Sequence, residues 1–393
     1  MSILAPRNIP PQSTSPQNIL LDAPALNRST ETLFRPFHLK GLTLPNRIVM
    51  APMTRSHSPE GVPGADVAAY YRRRVEGGVG LIVTEGTFIN HPAAGFDPKV
   101  PHFYGERALA GWRRVVEQVH AAGGLIVPQL WHVGMVVSPG LEPREGISPV
   151  GPSGFSAPGE QTGRPMSQAD IAAAIEAFAA GARDAKELGF DGVELHGAHG
   201  YLIDQFFWEA TNQRSDRYGG DLAARTSFAR EIIREVRRRV GPEFPLILRW
   251  SQWKLRDFEA KLARNPQELE RFLQPLVEAG VDAFHCSTRR FWEPEFPGSD
   301  LNLAGWTKKL TGQPVITVGS VTLNEDLMTS FGTANTAVVT SIDNLLDRLD
   351  RDEFDLVAIG RSLIVNPDWP GIVRRGALSE LRPFNRAVLA ELL

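Results

Sequence analysis

Cysteine is nearly missing: the 393-residue chain contains one, Cys286. A single thiol cannot close an internal disulfide, hold an iron–sulfur cluster or build a multi-cysteine zinc site, so any redox chemistry must come from a bound organic cofactor. No stretch approaches the apolar run of a transmembrane helix, which argues against a membrane protein. A concentrated basic patch is also lacking. The formal net charge is −3 with both signs spread along the chain, which argues against a nucleic-acid or anionic-membrane partner. Residues 1–7 lack a basic segment followed by an apolar core, so the expected location is cytoplasmic. There is no GxGxxG turn, no Walker A loop, no GxSxG elbow and no HExxH pair, which disfavours a Rossmann site, P-loop chemistry, a serine-hydrolase elbow and that zinc motif.

What is present is an ordinary globular balance, 42% hydrophobic and 22% charged, enough for a sizeable core. Residues 1–30 hold Pro6, Pro10, Pro11, Pro16 and Pro24 among polar residues, the composition of a flexible arm. A short hairpin pattern follows around Lys40-Gly41. From there, β-branched apolar runs of strand length recur at 48–53, 79–85, 125–131, 192–195, 246–250, 283–286, 314–318 and 356–359. Helical spacing occupies 66–76, 106–121, 171–188, 224–240 and 266–279, with Ser167 and Asp170 as an N-cap arrangement for the third. Residues 335–340 read as β-prone before a helical 344–350. Near-continuous apolar strands signal burial on both faces. Eight β-then-α units without a composition break predict a (β/α)8 TIM barrel as one domain, 31–393. The loop after the third strand, 133–165, is long, rich in Gly and Pro, and without regular pattern, the kind of loop that is usually functional.

Barrel chemistry collects where the C-terminal strand ends meet their loops. The polar residues there are Thr54, Glu85, Gln129, His132, Glu194, His196, His199, Tyr201, Arg249, Ser251, Ser320 and Arg361. Gly319-Ser320 and Gly360-Arg361 follow strands seven and eight, where loops commonly form a phosphate site; alternatively the glycines only make tight turns. Arg249 ends a buried strand and needs an anionic or carbonyl-rich partner, either a ligand or an acid such as Glu194. Gln129 suits the donor–acceptor edge of a heterocycle, or satisfies loop backbone. His196 and His199, three apart, could ligate zinc, donate to a carbonyl oxygen, or pack. A phenol beside two such donors, Tyr201, is a natural proton source for a carbanion whose charge rests on oxygen.

At these residues the sequence resembles the old yellow enzyme family of FMN-dependent ene-reductases. The resemblance runs from about Leu33 to Asp368. It is carried by Pro45-Asn46-Arg47-Ile48-Val49-Met50-Ala51-Pro52-Met53-Thr54-Arg55, by His196-Gly197-Ala198-His199-Gly200-Tyr201-Leu202-Ile203-Asp204-Gln205-Phe206-Phe207, by Thr211-Asn212-Gln213-Arg214-Ser215-Asp216-Arg217-Tyr218-Gly219-Gly220, and by Gly360-Arg361. The resemblance implies bound FMN, with NADPH or NADH as transient hydride donor and small electron-poor alkenes as substrates. It places Pro52, Met53 and Thr54 against the flavin, Gly86 close to the ring, and Gln129 and Arg249 at the pyrimidine end. Gly319, Ser320, Gly360 and Arg361 would hold the phosphate. His196 and His199 would bind the substrate's carbonyl or nitro oxygen, and Tyr201 would protonate the α-carbon. Thr54 resembles the branch of the founding yeast enzymes, while Met135 departs from the family's frequent Arg. Trp208, Trp250, Trp253, Phe291 and Trp292 are bulky for an entrance, and 286–293 would form a loop over the site or an aromatic surface cluster. The expected assembly is a monomer or homodimer. Rival readings are a larger iron–sulfur dienoyl-CoA reductase type, which one cysteine disfavours, a metal-dependent barrel hydrolase or aldolase, and a non-catalytic flavin-binding barrel.

Overall fold

The computed structural model describes residues 24–143, 145–326 and 336–393; the expected arm therefore lies largely outside the described residues. Its last part is docked: the backbone N–H groups of Asn27 and Arg28 donate to the Asp343 carboxylate, and Arg28 pairs with Asp347 at 2.7 Å.

Eight parallel strands close into a barrel: β1 Ile48–Met50, β2 Leu81–Phe88, β3 Ile126–Trp131, β4 Val193–His199, β5 Leu246–Lys254, β6 Ala283–Ser287, β7 Val315–Val318 and β8 Leu356–Ile359. Between them run α1 Ala65–Glu76, α2 Glu106–Ala121, α3 Gln168–Leu188, α4 Ser227–Val240, α5 Pro266–Ala279, α6 Leu303–Thr311 and α7 Asp343–Asp350. The expected N-cap opens α3 as a full capping box, where Ser167 Oγ accepts from Asp170 N and the Asp170 carboxylate accepts from Ser167 N. That arrangement satisfies N-terminal donors which the helix cannot pair internally. No helix among the described residues is long and apolar enough to cross a membrane.

Strand parity decides what each wall contributes, because successive side chains point to opposite faces. Inward-facing Val49, Leu81, Val83, Val127, Ile247, Ala283, Ile316 and Leu356 form an apolar interior cluster. The antiparallel hairpin Phe37–Leu39 and Leu42–Leu44 plugs its lower end with Leu39 and Leu44. Outward-facing residues pack under the helices in a separate, larger cluster. The polar strand ends therefore rest on a closed apolar floor.

Three expectations change. The 133–165 loop is not patternless: Val150–Gly151 pairs with Arg164–Pro165, and Phe155–Ala157 forms a hairpin with Glu160–Gln161. Strands this short leave no readable periodicity. The β-prone stretch near 335–340 forms only isolated bridges, Leu323 with Val339 and Ala337 with Phe384; residue 335 lies outside the described residues. Residues 224–226 are a 3-10 turn preceding α4 rather than its first turn.

Candidate active site

A cavity of about 320 Å³ opens at the C-terminal strand ends. Its wall includes Pro52, Met53 and Thr54 after β1, Gln129 and Trp131 on β3, His196, His199 and Tyr201 from β4, and Arg249 and Trp253 on β5. Ser287 at the end of β6, Thr288 and Arg289 after it, Gly319 and Ser320 after β7, and Gly360 and Arg361 after β8 complete it. All the expected site residues are thus brought together except Gly86. At Gly86 a Cβ would lie 2.5 Å from Trp131 Cε3. The close approach that demands glycine there is to the Trp131 indole, which itself lines the cavity.

One end of the cavity is built from side chains on β3 to β6. Arg249 is paired in register with His196 on β4 and His285 on β6. The salt bridge to Glu194 considered from sequence does not form. Glu194 instead accepts from Gln129 Nε2 at 2.7 Å and pairs with His285 Nδ1 at 2.7 Å. Arg249 keeps a weak contact to Ser287 Oγ at 3.4 Å, and its Nε is buried with no partner among the described residues. Burial lowers the Arg249 pKa to about 10, with Glu194 opposing the shift, so the guanidinium stays charged near neutral pH. Because Gln129 Nε2 faces Glu194, its Oε1 acceptor is left toward the cavity.

The histidines are neutral. Burial, then the nearby Arg249 charge, holds both His196 and His199 well below the ordinary imidazole value. Their hydrogen-bond partners bear on where each proton sits. Ala198 N–H donates to His196 Nδ1 at 3.4 Å, so that ring carries its proton on Nε2. Ser287 Oγ accepts from Arg249 and lies 2.7 Å from His199 Nε2. His199 is thus held by Ser287 through Nε2, and one of its two ring nitrogens carries the proton. The Tyr201 ring stands edge-on to His196 and to Trp131, each with ring centroids 4.9 Å apart. Burial raises its phenol pKa, with Arg249 pulling the other way, so Tyr201 holds its proton.

A break in strand register sets these angles. Gly197 pairs with Trp250 but His199 with Lys254, so β5 bulges between them, and bulges commonly re-aim side chains beside active sites. His199 takes φ 67°, a conformation a non-glycine residue keeps only when its surroundings over-determine it. Those surroundings are a buried clamp. Lys254 Nζ donates to Asp204 at 2.7 Å and to Ser251 O at 3.0 Å; Asp204 accepts from Gly200 N at 2.6 Å; Ser251 Oγ accepts from His199 N at 2.9 Å. Sequence reading missed this clamp and the Glu194–His285 pair. Spacing of two along β6, His285 then Ser287, was the available signal.

The other end is backbone-led. Ser320 has φ 53° and Gly319 φ 143°, and a Cβ on Gly319 would meet Thr288 O at 2.7 Å. Arg361 is held there by Ser320 Oγ at 3.2 Å and Asp326 O at 3.2 Å. Of the bulky residues expected at an entrance, only Trp253 lines the cavity. Trp208, Trp250 and Phe291 are buried in the outer core; for Trp250 the reason is parity, since inward Arg249 turns it outward onto α5, its ring centroid 5.2 Å from that of Phe272. Residues 287–289 line the cavity, and no described residue of the 133–165 loop does. Met135, within that loop, is buried. Among the described residues no group of three His, Cys, Asp or Glu is arranged to hold a metal ion.

Comparison with known proteins gives a consistent picture. Residues 32–380 match the model of the NADH:flavin oxidoreductase / NADH oxidase family. The chain is 33% identical over 370 residues, 91% of each protein, to the probable inactive reductase easA of Epichloe festucae var. lolii. It is similar to morphinone reductase solved in complex with tetrahydroNAD, with TM-score 0.74 and 31% identity over 91% of this chain and 93% of that one. The old yellow enzyme homologue from Zymomonas mobilis gives TM-score 0.74 and 28% identity over 91% of this chain and 96% of the other.

Proposed function

Because this chain belongs to the NADH:flavin oxidoreductase / NADH oxidase family, the old yellow enzymes, we propose that it is an ene-reductase acting on alkenes activated by a carbonyl or nitro group. The cavity suits FMN on observations of its own. Its Gln129 and Arg249 end offers an acceptor and a charged donor with a buried, unpartnered Nε. The opposite end has a glycine where a Cβ would collide, together with Arg361, and Ala51, Met53 and Ala358 give an apolar surface near both. Gln129 and Arg249 would take the ring's pyrimidine edge, Pro52, Met53 and Thr54 its face and rim, and Gly319, Ser320, Gly360 and Arg361 the phosphate. When bound, FMN supplies hydride transfer from NADPH or NADH to the substrate's β-carbon.

The observation that carries this reading is the convergence of two neutral imidazoles and one protonated phenol on a single cavity. N–H groups of His196 and His199 would hold the substrate oxygen and stabilise the negative charge that develops there. Tyr201 would deliver the proton to the α-carbon. The clamp through Lys254, Asp204 and Ser251 holds the turn that carries both His199 and Tyr201, so these groups are positioned before substrate arrives. Since a 33%-identical relative is named a probable inactive reductase, turnover has to be measured directly. Purified protein should show a flavin spectrum, and anaerobic reoxidation after nicotinamide reduction should succeed with enones, maleimides or nitroalkenes. A colourless protein that binds no added FMN, or a reduced protein that no activated alkene reoxidises, would overturn the proposal.

A further inference from the structure

Beneath the cavity lies a charged group to which the reading above gives no role. Glu194 is fully buried on β4 and carries two hydrogen bonds, from Gln129 Nε2 on β3 and with His285 Nδ1 on β6, both at 2.7 Å. His285 is fully buried as well, and its Nε2 has no partner among the described residues. The strand ladder sets Glu194 beside Gln129, and Arg249 beside His285. The four residues therefore span adjacent strands β3 to β6 directly above the apolar floor. Placing a carboxylate here is costly unless it does something, since a buried charge needs partners to offset its lost hydration. Stability alone does not explain it: well-packed apolar residues often replace a buried ion group at no loss.

We propose that the Glu194–His285 pair is the positioning and charge-setting element of the ring end, orienting the Gln129 amide and offsetting the Arg249 charge felt by bound FMN. This rests on the FMN reading and extends it. The orienting half follows from donor logic. A carboxylate only accepts, so it takes the Gln129 NH2 and turns Oε1 to the cavity, where it can receive an N–H from a heterocycle edge. His285, held neutral by burial, donates from Nδ1 and locks the carboxylate plane. The charge-setting half follows from sign. Arg249 stabilises the negative charge that the pyrimidine end takes up on reduction, and a fixed carboxylate in the same low-dielectric layer opposes it. Glu194 therefore keeps the midpoint potential below the value Arg249 alone would impose.

Glu194→Gln isolates the charge. Its amide can accept from Gln129 and, if His285 changes tautomer, donate to Nδ1, so both contacts survive. In the holoprotein, a redox titration should show the midpoint rising. The reduced-to-oxidised affinity ratio for FMN should change at least tenfold, about 30 mV for a two-electron couple. The affinity of apoprotein for oxidised FMN, read by quenching of flavin fluorescence, should stay within about threefold. Arg249→Met should move the midpoint the other way, and the double variant should fall between the single ones. Should E194Q fail to fold, Glu194→Met, which also removes the charge with a side chain of similar length, should raise the midpoint as well. A purely structural role predicts loosened FMN and a lowered or unchanged midpoint, because Gln129 and Arg249 would lose their places, and that result overturns the inference. Wild-type apoprotein that binds no FMN would defeat the underlying reading instead.

Discussion

The two ends of the cavity are made of different materials. The ring end, on β3 to β6, is a layer of side chains whose hydrogen bonds are internal to the barrel: Gln129 to Glu194, Glu194 to His285, Arg249 to Ser287, Ser287 to His199. The other end, after β7 and β8, where the FMN phosphate is proposed to sit, relies on backbone in rare conformations at Gly319 and Ser320, with one arginine tethered to loop carbonyls. The first kind of site suits fixing direction and electronics, because its polar side chains are held by specific partners on neighbouring strands. The second kind would fix an anion's place through amide groups and charge. Substitutions at the two ends should therefore fail differently: chemistry and potential at one, occupancy at the other.

The largest expected effect, at the ring end, is Tyr201→Phe. The ring and its edge contacts to His196 and Trp131 survive, so FMN occupancy and reduction by nicotinamide should persist. General-acid loss typically costs ~10²–10⁴ in rate, and that loss should appear in anaerobic stopped-flow reoxidation by an enone such as cyclohexenone. A nitroalkene should still reoxidise the variant, because a nitronate is a stable anion that can leave and be protonated in solution. Equal retention with both substrates would mean another group or water supplies the proton. Equal loss would give the hydroxyl a packing role and blur the contrast between the two ends.

How much of this could be read beforehand followed the range of the interaction involved. Strands and helices were legible because their periodicity is local, and the β4 end was legible because His196, His199 and Tyr201 lie within six residues. Parity along β5 also separates Arg249 from Trp250, and applying it would have removed Trp250 from the expected entrance. What could not be read is pairing across the barrel. Glu194 finds His285 across 91 residues of chain, and no spacing rule says that Arg249 will leave Glu194 to Gln129. Gly86 was legible as a glycine that must stay small, but the neighbour that requires it is the Trp131 indole. That contact depends on how β2 and β3 shift register between Val83 and Gly86.

The next comparison sets the two arginines side by side. Arg361→Ala should weaken FMN binding about 10- to 100-fold, the range expected for losing a charge-assisted hydrogen bond to an anion, with the midpoint potential little changed. Arg249→Met should lower the midpoint, with a smaller change in affinity for oxidised FMN. Redox titration beside a flavin-release assay reads both. Matching profiles for the two variants would show that the ends are not functionally distinct.

The smallest effect concerns the support under Thr54 rather than the chemistry. Glu85 on β2 is buried, and its Oε2 accepts the backbone N–H groups of Arg55 at 2.9 Å and Ser56 at 3.1 Å. Burial raises its carboxyl from 4.5 to about 7, with those two donors and the Arg55 charge opposing the shift. The folded pKa exceeds the unfolded one, so between these values the native state binds more protons. The associated stability is fully present below about pH 4.5 and is lost as pH rises through about 7, on the order of 3 kcal/mol in all. Glu85→Gln keeps an acceptor for both amides and cannot ionise. The variant should therefore match the wild type near pH 4.5 and melt a few degrees higher at pH 8, since a kcal/mol shifts Tm only by about 2–4 °C in chains of 150–250 residues and less in longer ones. Differential scanning calorimetry of both apoproteins from pH 4.5 to 8 reads the difference curve, whose half-point should fall between 4.5 and 7. Parallel Tm profiles would mean that Glu85 is not the titrating group. A variant less stable at pH 8 would mean that the carboxylate's charge, opposite Arg55, holds the Thr54 segment more firmly than its burial opposes it.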